Sequence, residues 1–394
     1  MYINISKVDF GRCYSGGSSG GGGEVVDLNY MTLSALGDGE ITISISGELS
    51  STYATSFSYS KDKSTWTDTI VDNTDKTISI PVTNGENVYL KGEALTWFDY
   101  ELYAGLIIDS TANINASGNI MSLLYGDNFK DKTSFPEGHS SNFGSLFSGN
   151  MHLINAENLI LPATELADYC YFGMFLDCSS LITAPALPAT TLAQCCYNEM
   201  FSGCASLTTA PELPATTLAT FCYQFMFQSC TSLTTAPALP ATTLATNCYS
   251  GMFSGCETLT TAPALPATTL AENCYYNMLS GCASLKTAPE LPATTLANGC
   301  YYGMFFSCAS LTTAPELPAA TLAESCYERM FNRCYLLNNI TMLATDISAL
   351  GCLTNWVEKV ATTGTFTKAE SMTSLPTGVN GIPAGWTIVN YGAA

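Results

Sequence analysis

The sequence predicts an α/β solenoid preceded by a small all-β unit, and three observations support this prediction. Two series of cysteines and one of methionines recur at a constant step of 26 residues. The residues between them divide into an apolar stretch with helical spacing and a short segment rich in Thr and Pro. Upstream of these repeats, apolar and polar residues alternate with the period of two that is typical of β-strands.

The cysteines and methionines define the length of the repeat. One cysteine series begins at Cys170, the second begins at Cys178, and the methionines begin at Met174. The consensus reads LPATTLAxxCYxxMFxxCxSLTTAPx. A period of this length is typical of a solenoid, whose units bury their apolar sides only by stacking on one another.

Each unit is predicted to hold one helix and one short strand. Leu192, Cys196, Tyr197, Met200 and Phe201 follow the spacing of a helix of about three turns with one buried face. The next segment, with its Thr pair and Pro-x-x-Pro, predicts a strand that ends at the prolines. Packed helices lie about 8–10 Å apart and stacked strands about 4.8 Å apart. We therefore expect a leucine-rich-repeat arc of about eight coils, with the strands on its concave face.

Short strands such as EITISISG and KTISIPV, separated by Gly, Asp and Asn, predict an Ig-like or fibronectin-like sandwich before the repeats. A run of Gly and Ser further upstream predicts a flexible linker. The predicted segments are a head or docking peptide at 1–14, a linker at 15–24, the sandwich at 25–100, an N-terminal cap with an irregular first coil at 101–161, the repeats at 162–343 and a C-terminal cap at 344–394.

The repeat sequence resembles a known family. LPATTLAxCYxxMFxGCxSLTTAPELP is similar to the BspA-type leucine-rich repeats of surface proteins from gut and oral bacteria. The resemblance covers roughly residues 140–390 and includes a closing segment that contains Trp356, Phe366 and Trp386. It implies adhesion and protein recognition outside the cell rather than catalysis, in a bacterial surface protein or a bacteriophage-borne version of one.

Charge and hydropathy exclude some classes of binding partner. The chain has 33 acidic and 13 basic side chains, and Lys286 is the only basic residue between Pro162 and Tyr327. Because phosphate groups are bound by clustered Lys and Arg, we expect no nucleic-acid partner and no anionic membrane surface. No apolar run reaches the 18 residues of a membrane-spanning helix, and the first residues do not resemble a secretory signal.

Of the seventeen cysteines, those of the two 26-residue series are predicted to be reduced and buried. On neighbouring helices, equivalent cysteines would lie beyond the roughly 7 Å between Cα atoms that a disulfide allows. Cysteines eight residues apart do not match zinc-site spacing either. Cys13 and Cys195 fall outside both series, and Cys13 is the expected exposed thiol. Because His139 and His152 lie in no recognisable motif, we expect no catalytic residues, no metal and no cofactor.

Two sets of side chains are candidate contact residues. Aromatic residues at variable helix positions could anchor a partner or pack between neighbouring helices, and Arg329 and Arg333 stand beside them in the last coil. Acidic residues and Thr pairs on the strand side could bind an extended glycan or peptide, or form a solvated sheet face. The candidates are Phe172, Phe221, Phe225, Tyr276, Tyr302 and Phe306 on the helix side, and Glu212, Glu290 and Glu316 on the strand side.

The sequence therefore predicts a non-enzymatic recognition or adhesion protein that binds a host cell-surface protein or glycan. Lacking a recognisable signal or anchor and rich in reduced thiols, the chain fits a phage tail or capsid fibre or another host-attachment protein. A bacterial cell-surface adhesin and a purely structural virion component are the alternatives, and a homo-oligomer is possible. The head peptide would dock onto other virion proteins by strand addition. Its apolar side chains are Tyr2, Ile3, Ile5, Val8 and Phe10.

Overall fold

A computed structural model shows a β-rich protein with a solenoid-like array of stacked coils. It describes residues 30–46, 55–72, 76–92, 98–99, 104–136 and 142–392. The predicted head peptide at 1–14, the linker at 15–24 and His139 lie outside the described residues. In the described ranges, α-helix and 3-10 helix are limited to Ser122–Tyr125 (α1) and Gly126–Asn128.

The N-terminal part consists of two largely antiparallel sheets. Its strands are β1 (Met31–Ala35), β2 (Gly39–Ser46), β3 (Thr55–Ser60), β4 (Thr67–Val71), β5 (Thr77–Val82), β6 (Asn87–Gly92), β7 (Phe98–Asp99), β8 (Ala104–Ser110), β9 (Ile114–Asn119) and β10 (Leu153–Ile160). One sheet has the order β10-β9-β1-β6-β3-β4 and the other β5-β2-β8-β7. The predicted alternation is visible in β2, where Ile41, Ile43 and Ile45 are buried.

The predicted boundary at residue 100 falls inside these sheets. Strand β8 pairs with β2, and β9 pairs with β1, so residues 104–119 belong to the sheets rather than to a separate cap. Strand β10 then pairs in parallel with β9, and Asn155 in β10 forms a bridge to Thr183 in the next coil. The sheet that contains β1 therefore continues directly into the stacked array.

The helix predicted in each 26-residue unit is wrong, because the segment folds into consecutive turns. The amide of Met200 donates to the carbonyl of Tyr197, three residues back, at 3.3 Å. The next amide, that of Phe201, instead donates to the carbonyl of Met226 in the following coil at 2.9 Å. This alternation recurs from coil to coil. Each turn segment is thus bonded to itself through every second amide and to its neighbour through the others.

A left-handed residue occurs at every fourth position of these turns. In one coil the three positions are Asn247, Gly251 and Gly255, with φ of 55°, 61° and 76°. They are the second residues of the three variable pairs in LAxxCYxxMFxxC, and the third position of a turn with positive φ favours Gly and Asn. The apolar residues repeat every four positions, which drifts by only about 40° per step on a helix. Their spacing alone therefore cannot separate a helix from these turns.

The curvature that we expected of the array depended on packed helices along one side of each coil, and these helices are not present in the described repeats. Backbone hydrogen bonds join neighbouring coils on the turn side, so these segments approach as closely as stacked strands, about 4.8 Å, rather than as packed helices. The side of the coil that was expected to be wide is therefore no wider than the other, and the expected curvature does not follow.

Regular strands form in the array at its C-terminal end. The last four are β11 (Thr313–Leu317), β12 (Asn339–Met342), β13 (Thr365–Lys368) and β14 (Thr387–Asn390), which form a parallel sheet in this order. In the preceding coils the predicted strands are reduced to isolated bridges, such as those that link Thr235, Thr261 and Thr287. Proline has no amide hydrogen to donate, so two adjacent Ala-Pro-x-Leu-Pro segments form only these bridges. Strand β11 contains Pro315 but pairs with β12, which has no proline.

The core of the array consists of identical side chains stacked along its length. The tyrosines from Tyr171 to Tyr327 form one ladder, with neighbouring ring centres 5.7–6.1 Å apart. The phenylalanines from Phe147 to Phe331 form a second ladder, interrupted by Leu279. Trp356 stacks on Tyr327 and donates through Nε1 to the carbonyl of Gly381 at 2.9 Å. The closing segment thus terminates both ladders.

Candidate functional sites

Two surfaces of the array bring the candidate residues together. The turn-tip surface is formed by the variable pairs of the turns, that is residues 194–195, 198–199 and 202–203 and their equivalents at steps of 26. The proline surface is formed by residues 208–217 and their equivalents. Because the buried Cys, Tyr, Met and Phe positions are nearly constant between coils, the two surfaces carry most of the variation from coil to coil.

An aromatic and cationic cluster lies on the turn-tip surface near the end of the repeats. The rings of Tyr276 and Tyr302 are stacked with centres 4.5 Å apart, and both residues are only partly buried. The guanidinium of Arg333 lies over the ring of Phe306, 5.5 Å from its centre. Partial burial and the nearby Glu328 carboxylate raise the pKa of Tyr302, and Arg329 opposes this shift. The cluster therefore combines exposed ring surface with groups that donate and accept hydrogen bonds.

Several turn-tip side chains occupy backbone positions that disfavour them. Phe221 and Phe225 have φ of 57° and 53°, and Arg329 and Arg333 have φ of 55° and 64°. In other coils these positions are often held by Gly, Asn or Ser. A non-glycine residue in this region costs about 1–2 kcal/mol, and residues held there at such a cost cluster at functional sites. Phe221 and Phe225 pack against neighbouring coils, whereas Arg329 and Arg333 are exposed, so packing does not account for the two arginines.

The other aromatic candidates pack between coils. Phe172 is buried against Cys195, with Tyr169 and Phe221 beside it. The ring of Phe225 lies where a side chain on Gly251 of the next coil would project. Phe172 therefore takes the packing role that the sequence left open, and it does not contribute to an exposed contact surface.

The acidic candidates lie on the proline surface and are exposed. Glu290 lines a shallow cavity of about 340 Å³ together with Pro263, Leu265, Pro266 and Pro292. The hydroxyl of Tyr391 donates to Glu316 Oε2 at 3.4 Å. Glu212 is also exposed, in a coil whose neighbours have Ala at the equivalent position. This surface offers rows of Thr, Pro and Glu along the array.

The fifteen cysteines of the two series are free and buried, as the sequence predicted, but not for the predicted reason, and Cys195 is also free and buried. No helices hold them apart. Instead, each thiol of the second series donates to a backbone carbonyl of the preceding coil, as Cys204 does to Phe175 at 3.1 Å. Burial raises the pKa of these groups, to about 12 for Cys196 and Cys256. Protonated, inaccessible thiols are poor nucleophiles and poor metal ligands.

The described ranges contain no group of three His, Cys, Asp or Glu side chains that could hold a metal ion. His152 is half-buried, and its backbone amide donates to Asn150 Oδ1 at 2.9 Å. No helix in the described part of the chain has the length and apolar character needed to cross a membrane.

Comparison with known proteins found no matching family model, no matching curated protein and no matching solved structure. The resemblance to BspA-type repeats therefore stays a prediction.

Proposed function

We propose that this chain is a non-enzymatic recognition or adhesion protein whose turn-tip surface binds a host cell-surface protein or glycan. The observation that supports this function most directly is the cluster of Tyr276, Tyr302 and Phe306 with Arg329 and Arg333. Partly exposed aromatic rings and Arg are the side chains that most often dominate binding energy at protein interfaces. Two of these residues are also held in backbone conformations that turn folding does not favour.

The proposed setting is the surface of a particle or a cell. The BspA-type resemblance favours recognition outside the cell, and reduced, buried thiols suit folding in a reducing compartment. A phage tail or capsid fibre or a related attachment protein combines both properties. A bacterial surface adhesin of the same family and a structural virion component are the alternatives.

The proposal includes two finer features of the fold. We propose that the array comprises about eight coils of 26 residues, and that the two N-terminal sheets form an Ig-like or fibronectin-like sandwich that carries the array. The head peptide 1–14 is proposed to attach the protein to other virion proteins.

Binding of the purified chain to arrays of glycans and of host surface proteins tests this function. We expect a specific ligand, and we expect its binding to be lost in the double variant Tyr276→Ser/Tyr302→Ser. Serine is chosen because Ser250 occupies the equivalent position in the preceding coil and is compatible with the fold there. The matched control is Glu290→Ala/Glu316→Ala on the proline surface, where Ala occurs naturally at equivalent positions such as Ala238 and Ala264.

The two variants separate the surfaces. Binding that survives the tyrosine variant but not the glutamate variant would move the site to the proline surface and contradict the turn-tip proposal. Absence of any ligand, together with assembly into particles, would favour the structural alternative.

A further inference from the structure

The apolar core of the array is open at its C-terminal end. Ile340 in β12 is paired with Phe366 in β13, and Phe366 is paired with Ile388 in β14. Directly paired residues in a parallel sheet point to the same face, so these three side chains form one inward row. Ile340 and Phe366 are fully buried, whereas Ile388 is 49% exposed. Within the described residues no further coil lies over Ile388, whereas Phe366 is covered by β14.

The opposite end of the array is closed by the protein itself. There β10 pairs with β9, and Leu153 and Leu159 in β10 are buried. At the C-terminal end, β14 is the last strand of its sheet in the described residues, and its outer edge has no strand beside it. Two further large apolar side chains of the last coil, Val379 and Tyr391, are 44% and 51% exposed.

The outer edge of β14 also lacks the features that usually keep a sheet edge from pairing. Such features include charged side chains, prolines and bulges. The edge strand β4 has Asp68 at its second position, and the edge strand β5 contains Pro81. Strand β14 reads Thr-Ile-Val-Asn and has neither a charge nor a proline. Its exposed amide and carbonyl groups are therefore free of local obstacles to pairing.

We propose that β14 pairs in antiparallel fashion with β14 of a second copy of this chain, around a two-fold axis through Ile388. Residues directly opposite in an antiparallel pair share one face of the sheet, so this register places Ile388 against Ile388 of the second copy. A two-fold contact uses the same patch on both copies and closes without further growth. The two open cores then cover each other, and the two four-stranded sheets become one.

The charge distribution favours a second copy at this edge. Each chain has a formal net charge of −20, so contact between acidic parts of two copies is opposed by repulsion. Residues 371–392, which form the last coil, contain no Asp, Glu, Lys or Arg. Two copies can therefore approach at this end without bringing charged side chains of the last coil together.

Light scattering after size-exclusion chromatography tests the pairing on the full chain, over about a hundredfold range of concentration because dimerisation follows mass action. We expect a mass that rises from 41.9 kDa towards twice that value. Ile388→Lys should weaken self-association by about tenfold or more, because it buries an unpaired ammonium group. The matched control is Ile70→Lys, since Ile70 is 56% exposed on the edge strand β4.

Hydrogen exchange at the backbone amides of residues 387–390 provides an independent measurement. Exchange there should slow as the wild-type concentration rises and should stay fast in Ile388→Lys, whose fold is checked by circular dichroism. A chain that stays monomeric at every concentration would overturn the proposal. So would a dimer that Ile388→Lys leaves intact, or one that Ile70→Lys disrupts equally. These outcomes do not depend on whether the turn-tip surface binds a ligand.

Discussion

The turn half and the proline half of each coil are attached to their neighbours in different ways. In the turn half, residues 195–207 and their equivalents, every second amide of residues 195–203 donates to the next coil, and Cys, Tyr, Met and Phe are fully buried. In the proline half, residues 208–218, isolated Thr bridges are the principal backbone links, and Leu213, Ala215 and Leu218 are the buried side chains. The same coil spacing is thus maintained mainly by hydrogen bonds and a large core on one side, and mainly by apolar contact on the other.

This difference explains where the array can vary. The turn half needs positive φ at three positions in every coil, so substitutions there act on the backbone as well as on contacts. The proline half exposes alternate residues without such a demand, and Ala and Glu exchange freely at the position of Glu212. Substitutions on the proline surface therefore change the free energy of unfolding little, whereas an aromatic or cationic residue at a turn tip lowers it through backbone strain.

The largest expected effect is loss of stability at alkaline pH, and it originates in the turn half, which holds the sixteen described cysteines. Burial raises the pKa of these thiols in the folded protein, to about 12 for Cys196 and Cys256, above the unfolded value of about 8.5. Their contribution is therefore complete below about pH 8.5 and is lost as pH rises through the folded pKa. Each thiol removes up to about 1.4 kcal/mol per pH unit, so the sixteen together remove on the order of 20 kcal/mol between about pH 9 and pH 10.

Urea unfolding followed by circular dichroism at a series of pH values measures this loss. The free energy of unfolding should change little across neutral pH and collapse above about pH 9. Unchanged stability up to about pH 10 would show that the thiols are exposed in the folded chain, which would break the contrast between the two halves.

An intermediate effect is expected from serine substitutions in the two cysteine series. The thiol of Cys256 donates to the carbonyl of Phe227 at 3.0 Å, and a serine hydroxyl can form the same bond. Within the described residues, the thiol of Cys248 donates to no carbonyl, so the hydroxyl proton of a buried serine there would lack an acceptor. We expect Cys248→Ser to cost about 2–3 kcal/mol and Cys256→Ser about 1 kcal/mol. Alanine at each position is the control, because both alanine variants remove a similar volume; equal costs for the two serine variants would contradict the prediction.

The smallest effect concerns backbone conformation alone. Gly281 has φ of 75°, and an added Cβ would meet only the backbone of Gly255 at ordinary contact distance. Gly281→Ala should therefore lower the free energy of unfolding by about 1–2 kcal/mol through conformational strain. Ala264→Gln, exposed in the proline half, should stay within about 0.5 kcal/mol of the wild type. Thermal or urea denaturation compares the two, and a neutral Gly281→Ala would show that the turns tolerate any residue.

Reading the turns as a helix shows what apolar spacing can and cannot distinguish. Cys196, Tyr197, Met200 and Phe201 occupy one face in either structure, so their burial was predictable from spacing. The informative signal was the composition of the variable pairs. Asn247, Gly251 and Gly255 are poor helix residues, and their interval of four matches the third position of successive turns.

The candidate contact residues show a similar limit. Their positions along the repeat were evident as the variable residues, but their accessibility depends on the neighbouring coil. Phe172 is buried because Cys195 and Phe221 pack against it, whereas Tyr276 and Tyr302 stay partly exposed while stacked on each other. The exposure of such a side chain therefore cannot be predicted from the sequence of its own unit alone.

The sequence by itself determined that the chain repeats every 26 residues, that its cysteines fill a core, and that alternating strands precede the array. These properties depend on period and polarity, which are local and additive along the chain. Only the tertiary structure decided that the units are turns rather than helices, and that Ile388 ends an uncovered core row. Both depend on where the backbone amides find their acceptors, because each stacking amide is satisfied by a carbonyl about 25 residues away rather than within its own segment.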